Sequence, residues 1–262
     1  MYRRLLPALL AFVVLAPAQA DLTIKATATG KGLGMSGDTS NVTYIKGLKM
    51  RSEAASGKAS NVTIFDVDAQ KMYVLNDKKK EVDAWDMAAF TQEMSKSVPA
   101  EGVQASITPN GQTKTISGQT ADGYDVKIVV PATIGGPGGM PMTMLLSGVS
   151  WIAKGVPGAA DYAAFYKGAA EKGWIFSDPR AAQGAPGQAK AMAQMYAEFA
   201  AIGGLPYEAN MDIKVEGDGP IAAMMAKMGG VSTTTTIDSV ESAPLDDALF
   251  QVPADYTLKE RK

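Results

Sequence analysis

From residue 22 the chain alternates with period two. Leu22, Ile24, Ala26 and Ala28 are apolar, and Thr23, Lys25, Thr27 and Thr29 between them are polar. Only an extended strand puts one such set in a core and the other in water. Residues 22 to 130 repeat this habit in short runs separated by tight turn signals. A Gly-rich bend spans residues 30 to 37. Strands follow over 41 to 53, with Gly47 the one interruption, over 61 to 67, over 71 to 75 and over 81 to 85. Asp68-Ala69-Gln70-Lys71 and the stretch from Asn76 to Lys80 read as turns. Such connections are too short for parallel crossovers, so the strands form consecutive antiparallel hairpins. Ser40-Asn41-Val42-Thr43 recurs as Ser60-Asn61-Val62-Thr63, two strands with similar faces. Both contain the Asn-x-Thr pattern, read here as strand residues rather than glycosylation sites.

Further along, Pro109-Asn110-Gly111 and Asp122-Gly123 are turn signals flanking strands at 114 to 117 and 124 to 130. Gly118 marks a strand kink or bend. Residues 135 to 139 form a Gly-Pro connection, and 142 to 154 alternate well enough for another strand. Helices are expected over 87 to 97, with Ala88, Phe90, Met94 and Val98 on one face, and over 161 to 172, where Ala164, Phe165 and Ala169 give the apolar side. A third covers 188 to 202, where Met192, Met195, Tyr196, Phe199 and Ile202 recur at helical spacing. Gly173 and the pair Gly203-Gly204 are natural stops. Strands return over 207 to 216 and 231 to 240, with a short apolar helix or loop over 221 to 228. Meander, helices and returning strands make one α+β domain: a curved antiparallel sheet with helices on its concave side.

Residues 1–20 read as a secretory leader. Arg3 and Arg4 start it, an apolar run follows, and Ala18-Gln19-Ala20 fits small-x-small cleavage. The run is too short to span a bilayer. The expected mature chain, 21–262, has no membrane span and no Cys to carry a lipid anchor. It is expected in the bacterial periplasm or outside the cell.

Composition removes whole classes of chemistry. Cys and His are both absent, so there are no disulfides, no thiolate or imidazole metal ligands, and no Ser-His-Asp machinery. A formal net charge of −2 gives no electrostatic footprint for nucleic acid. Asp66 and Asp68 fail as a calcium loop, because Lys71 stands where the sharp-turn Gly belongs. Asp83 and Asp86 would need a cleft to act as an acid/base pair. The glycines at 135 to 139 lack the Lys and Ser/Thr of a phosphate loop. No cofactor and no catalytic set are expected.

Several segments together resemble one family. They are Lys46-Gly47-Leu48-Lys49-Met50-Arg51, the run from Ile64 through Asp68 to Leu75, Thr115-Ile116-Ser117-Gly118 with Gly123-Tyr124-Asp125-Val126, Val149 to Lys154, and Leu249 to Tyr256. Their succession resembles the secreted bacterial proteins grouped as domain of unknown function 4412. That group is similar to the outer-membrane lipoprotein carrier LolA and its receptor LolB. The resemblance implies an open half-barrel closed by helices over an apolar cavity that holds acyl chains.

On that reading the chain is a periplasmic, non-enzymatic protein binding a lipid or lipoprotein acyl chain. Leu145, Trp151, Trp174, Phe176, Met192, Met195 and Phe199 are the candidate cavity residues. Two other readings stand beside it. Met140, Met142 and Met144, two apart on a strand, present thioethers to one side and suit Cu(I). A cell-envelope interaction module would instead recruit a partner at an exposed sheet edge.

Overall fold

A computed structural model describes residues 21–32, 35–57, 59–97, 103–134, 140–174, 176, 179–180, 186–217, 223, 227 and 230–261. The strands are β1 (Leu22–Gly32), β2 (Met35–Lys46), β3 (Lys49–Ser56), β4 (Ala59–Asp66), β5 (Lys71–Asn76), β6 (Glu81–Asp86), β7 (Gln104–Ile116), β8 (Gln119–Ile134), β9 (Met140–Ala153), β10 (Leu205–Glu216), β11 (Val231–Ser242) and β12 (Thr257–Arg261). The helices are α1 (Met87–Ser97), α2 (Ala159–Glu171) and α3 (Pro186–Ile202), with a 3-10 turn at Asp247–Phe250. The strands form one sheet in the order β12-β6-β5-β4-β3-β2-β1-β11-β10-β9-β8-β7. Two meanders, β1–β6 and β7–β11, meet at the antiparallel pair β1/β11. The sheet is unclosed, with β12 and β7 at its edges. The α+β expectation of an open antiparallel sheet with its helices packed on one face holds.

Register explains the core. Leu22, Ile45, Met50, Phe65, Met72 and Trp85 lie directly opposite one another across β1 to β6. None of the six is more than 6% exposed. This rung marks the inner face, and the same face continues through β11 to β8 by way of Ile237, Met211, Ile213, Leu146, Val126 and Ile128. Helix α2 sets Phe165, Tyr166 and Ala169 against the rung, and α1 adds Met87, Phe90 and Met94. In β4 to β6 the outer face is apolar as well. Val62, Ile64, Leu75 and Val82 are buried there beneath Val252 and Tyr256 of the C-terminal segment. Elsewhere that face carries the polar residues Thr27, Thr29, Thr234 and Thr236 in paired register.

Local chemistry places the helix ends. Asp86 caps α1, its carboxylate accepting from the Ala89 N–H at 3.1 Å. Gly173, at φ 70°, ends α2, and the Gly173 and Trp174 N–H groups donate to Ala170 and Ala169. Met87 takes the core position on α1 that the sequence assigned to Ala88, which is exposed; Val98 lies outside the described residues. Ala164 of α2 is likewise exposed, and Tyr166 is buried in its place.

Three turn signals have other uses. Gly30 and Gly37 pair within the β1/β2 ladder, which runs on to Gly32 opposite Met35. Pro109-Asn110-Gly111 sits in a register shift inside β7. β7 is an edge strand, which tolerates a proline without an N–H and a bulge with Gly111 at φ 75°. Asp122-Gly123 lies mid-strand in β8. A Cβ on Gly123 would meet Asn110 Oδ1 at 2.5 Å and Trp151 at 3.0 Å, so packing rather than a turn requires glycine there. The hairpin turn is Ser117-Gly118, with φ 50° and 77°, the pair of positive values that a two-residue type I′ turn needs. The last strand, β12, pairs with β6 in parallel, an arrangement outside the expected run of antiparallel hairpins. Of the stretch 221 to 228, only Ala223 and Lys227 are described, both helical.

Gly148 supplies a sharp test of the second meander. A Cβ there would lie 1.9 Å from the Asn210 carbonyl oxygen. Gly148→Ala must force β10 off β9, and is expected to cost about 3 kcal/mol or more. Thermal unfolding checks this; an unchanged Tm would mean that the two backbones do not approach in this register.

Candidate ligand seam between helix and sheet

Two apolar clusters occupy the inner face, and α3 lies across both. One stripe of α3, formed by Ala189, Ala193, Tyr196 and Ala200, faces the first cluster. A second, formed by Ala191, Met195 and Phe199 at i, i+4 and i+8, faces the other. Helical periodicity thus built a helix with two contact stripes from a sequence that reads as one.

The first cluster is a filled aromatic core. Phe65 from the rung meets Trp174 at 6.1 Å and Phe176 at 5.7 Å between ring centroids. Phe176 also meets Phe165, Tyr166 and Tyr196, and Tyr166 stacks on Tyr196 at 4.9 Å. Tilted and edge-on contacts dominate, the favoured arrangements for aromatic quadrupoles. The Tyr166 hydroxyl points at the Met50 sulfur, 3.9 Å away. Burial pushes the hydroxyls of Tyr162, Tyr166 and Tyr196 above their ordinary range, although Tyr162 and Tyr196 keep exposed edges.

The second cluster is different. Val103, Val126, Ile128, Val130, Leu146 and Ala191 are buried, but Ala105, Ile107, Met144, Met195, Phe199, Met211 and Ile213 around them keep part of their surface in solvent. These flanking residues come from α3, β7, β9 and β10, so they outline a seam where the helix leaves the sheet. Buried Ser150, beside the seam on β9, has a side-chain oxygen with no partner among the described residues.

The expected cavity residues separate accordingly. Met195 and Phe199 belong to the seam. Trp174 and Phe176 belong to the aromatic cluster, whereas Trp151 only packs against that core from β9, partly buried and with Lys114 over its ring. Leu145 alternates with Leu146 on β9, so it faces the other side of the sheet, opposite Val129 and Lys214. Met192 falls between the two stripes and joins neither cluster. Of the methionine triplet, Met144 packs in the seam, Met142 is half-buried and joins neither cluster, and the side chain of Met140 lies outside the described residues. Met211, Ile213 and Ile107 are seam residues that sequence reasoning missed. Their period-two placement was legible, but not which strands α3 crosses.

A polar tie braces this region. Lys114 Nζ lies 2.7 Å from Glu208 Oε1 and 4.6 Å from the centre of the Trp151 ring. It links β7 to β10 across the two strands between them. Burial pushes the Glu208 carboxyl up, but hydrogen bonds from Lys114 and Asn210 outweigh it and hold the group below its usual range.

No family model matches the sequence, and no curated protein matches it. The comparison that implied domain of unknown function 4412 therefore stands as an expectation. Among solved structures, the chain is similar to PNGF-II at 10% identity and a TM-score of 0.34, covering 92% of this chain. It spans only 31% of that protein's length. A domain named for outer membrane lipoprotein sorting, from Vibrio parahaemolyticus, gives 8% identity and a TM-score of 0.31, with 89% of this chain and 90% of that one covered. A DUF1329 family protein from Desulfovibrio piger gives 9% identity and 0.30, with 90% and 91% covered. No helix among the described residues is long and apolar enough to cross a membrane.

The tyrosine cluster fixes the alkaline limit of the fold. A hydroxyl whose folded pKa is raised supports the fold fully below its unfolded value, near pH 10, and that support is lost as pH rises through the folded value. Tyrosinate absorbance from Tyr162, Tyr166 and Tyr196 is therefore expected to appear together with unfolding. Ionisation of all tyrosines while the circular dichroism stays native would show the cluster to be open to water.

Proposed function

We propose that this chain is a non-enzymatic binding protein of the bacterial cell envelope, sent there by its leader at residues 1–20. Its ligand is an acyl chain laid along the seam between α3 and strands β7 to β10. The observation that carries this reading is the contrast between the clusters. One is closed by interlocking rings; the other leaves Met144, Met195, Phe199, Met211 and Ile213 side by side and half wet. Unbranched thioether side chains adapt to a flexible chain, and a half-exposed apolar strip gains free energy when one covers it. The absence of Cys and His fits a binding role better than a hydrolytic one.

The test uses the mature protein purified from the periplasm. Native mass spectrometry before and after solvent extraction should show loss of a lipid-sized mass, and palmitate should restore it. Phe199→Asp puts a charge in the seam, where losing one buried aromatic contact is worth about 2 kcal/mol. Palmitate affinity is expected to fall more than tenfold with the circular dichroism unchanged. A bare mass that takes up neither palmitate nor lysophospholipid overturns the reading, as does undiminished binding by Phe199→Asp. Uptake of copper alone under reducing conditions would move the function to the methionines.

A further inference from the structure

The inner face of β1 to β6 changes chemistry along the strands. Two residues beyond the apolar rung, the opposed positions are Ile24, Thr43, Ser52, Thr63, Val74 and Asp83. Two further on, Asn41, Ala54 and Asn61 are in line, as are Asn76 and Glu81. A face that is a core over one half becomes polar over the other. Asn41 is tied to Thr43 and Ser52 by hydrogen bonds of 3.0 and 3.5 Å, which hold this polar floor in place.

A cavity of about 490 Å³ opens on that half, against β4, β5, β6 and β12. This is the size of an ordinary small-molecule site. Its charged walls hold Lys78, Lys79, Arg180, Lys259 and Arg261 against Asp77, Glu81 and Asp83, an excess of cations in a chain that is acidic overall. The acids are engaged. Arg261 Nε and Nη2 each lie 2.8 Å from Asp83 Oδ1, and Arg180 Nη1 lies 3.5 Å from Oδ2. Lys259 Nζ pairs with Glu81 at 2.7 Å, and Asp77 accepts from the Tyr256 hydroxyl. Lys78 and Lys79, exposed on the β5–β6 turn, have no carboxylate partner among the described residues. Asp83 thus gathers two guanidiniums at one wall, while two ammonium groups stand at the rim.

We infer that this cavity is a second binding site, distinct from the acyl seam, and that it takes a compact phosphate monoester. Paired guanidiniums suit the oxygens of a tetrahedral dianion, and lysines add charge without fixed geometry. Among the described residues no aromatic ring lines the cavity, so they offer no stacking surface for a sugar ring or a base. A free phosphoester and a phospholipid headgroup share the recognised chemistry.

Calorimetry with glycerol 3-phosphate tests the soluble source, and flotation with vesicles of phosphatidic acid in phosphatidylcholine tests the headgroup. Glycerol and pure phosphatidylcholine vesicles are the neutral controls. Binding in either arm, weakened by salt, is expected, and the arm that responds names the source. The double variant K78Q/K79Q lies on an exposed turn and should keep the fold. It is expected to weaken binding roughly tenfold. Arg261→Gln should weaken it further; if that variant loses β12, K78Q/K79Q still decides. Absence of binding in both arms overturns the inference, and so does binding that K78Q/K79Q leaves unchanged. Palmitate binding is untouched by either result, so failure here is separable from failure of the seam.

Discussion

The apolar rung across β1 to β6 is the constraint from which the inner face is built. Its central members are Met50 and Phe65, and Phe65 holds both Trp174 and Phe176. Those two rings fix the chain as it leaves α2. Phe176 in turn meets Tyr196 on α3 at 5.0 Å. The direction of α3 therefore traces back to one residue in the first meander. Since interlocked rings resist sliding more than a loose aliphatic interface does, α3 has a definite position over the second meander. The half-open seam exists because of that position.

Helix α3 does two jobs with two stripes. Ala189, Ala193 and Ala200 are small, which lets the helix sit close to the aromatic core; Tyr196 alone reaches into it. On the other stripe Met195 and Phe199 are long and reach across to the sheet without closing against it. A uniform stripe of Leu would have sealed both sides. The alternation of small and large residues around one helix separates a structural contact from an adaptable one.

Much of this was legible in the sequence, and for identifiable reasons. Period-two runs such as residues 22 to 29 announce strands because one face is wet and one dry. The α+β class followed from these runs and from three amphipathic stretches. What local pattern leaves out is long-range pairing. The parallel pairing of β12 with β6 spans most of the chain and has no local signature. Gly123 looked like a turn because the pressure on it comes from Trp151, which is distant in sequence. The candidate site was legible in part for the same reason. Met195 and Phe199 share a helical face that can be counted. Leu145 looked equivalent to Leu146 until register assigned them to opposite sides of β9. The polar half of the inner face was hidden because Asn41, Thr43, Asn61 and Asp83 each read as ordinary strand polarity. Only their alignment across strands gathers them on one side.

The seam between the two meanders has a consequence for the order of assembly. β1 finds β2 within a few residues, yet its other neighbour, β11, begins at Val231. A chain that emerges start-first presents β1 to β6 long before β11 exists. The first meander can form its hairpins locally, but β1 is then an unprotected edge, and so is β6 until β12 emerges. Both edges wait on the last fifth of the chain. Loop closure over such a separation is entropically slow, so the nascent protein passes through a stage with two strand edges bare, and a chaperone that shields extended backbone would have its longest opportunity there.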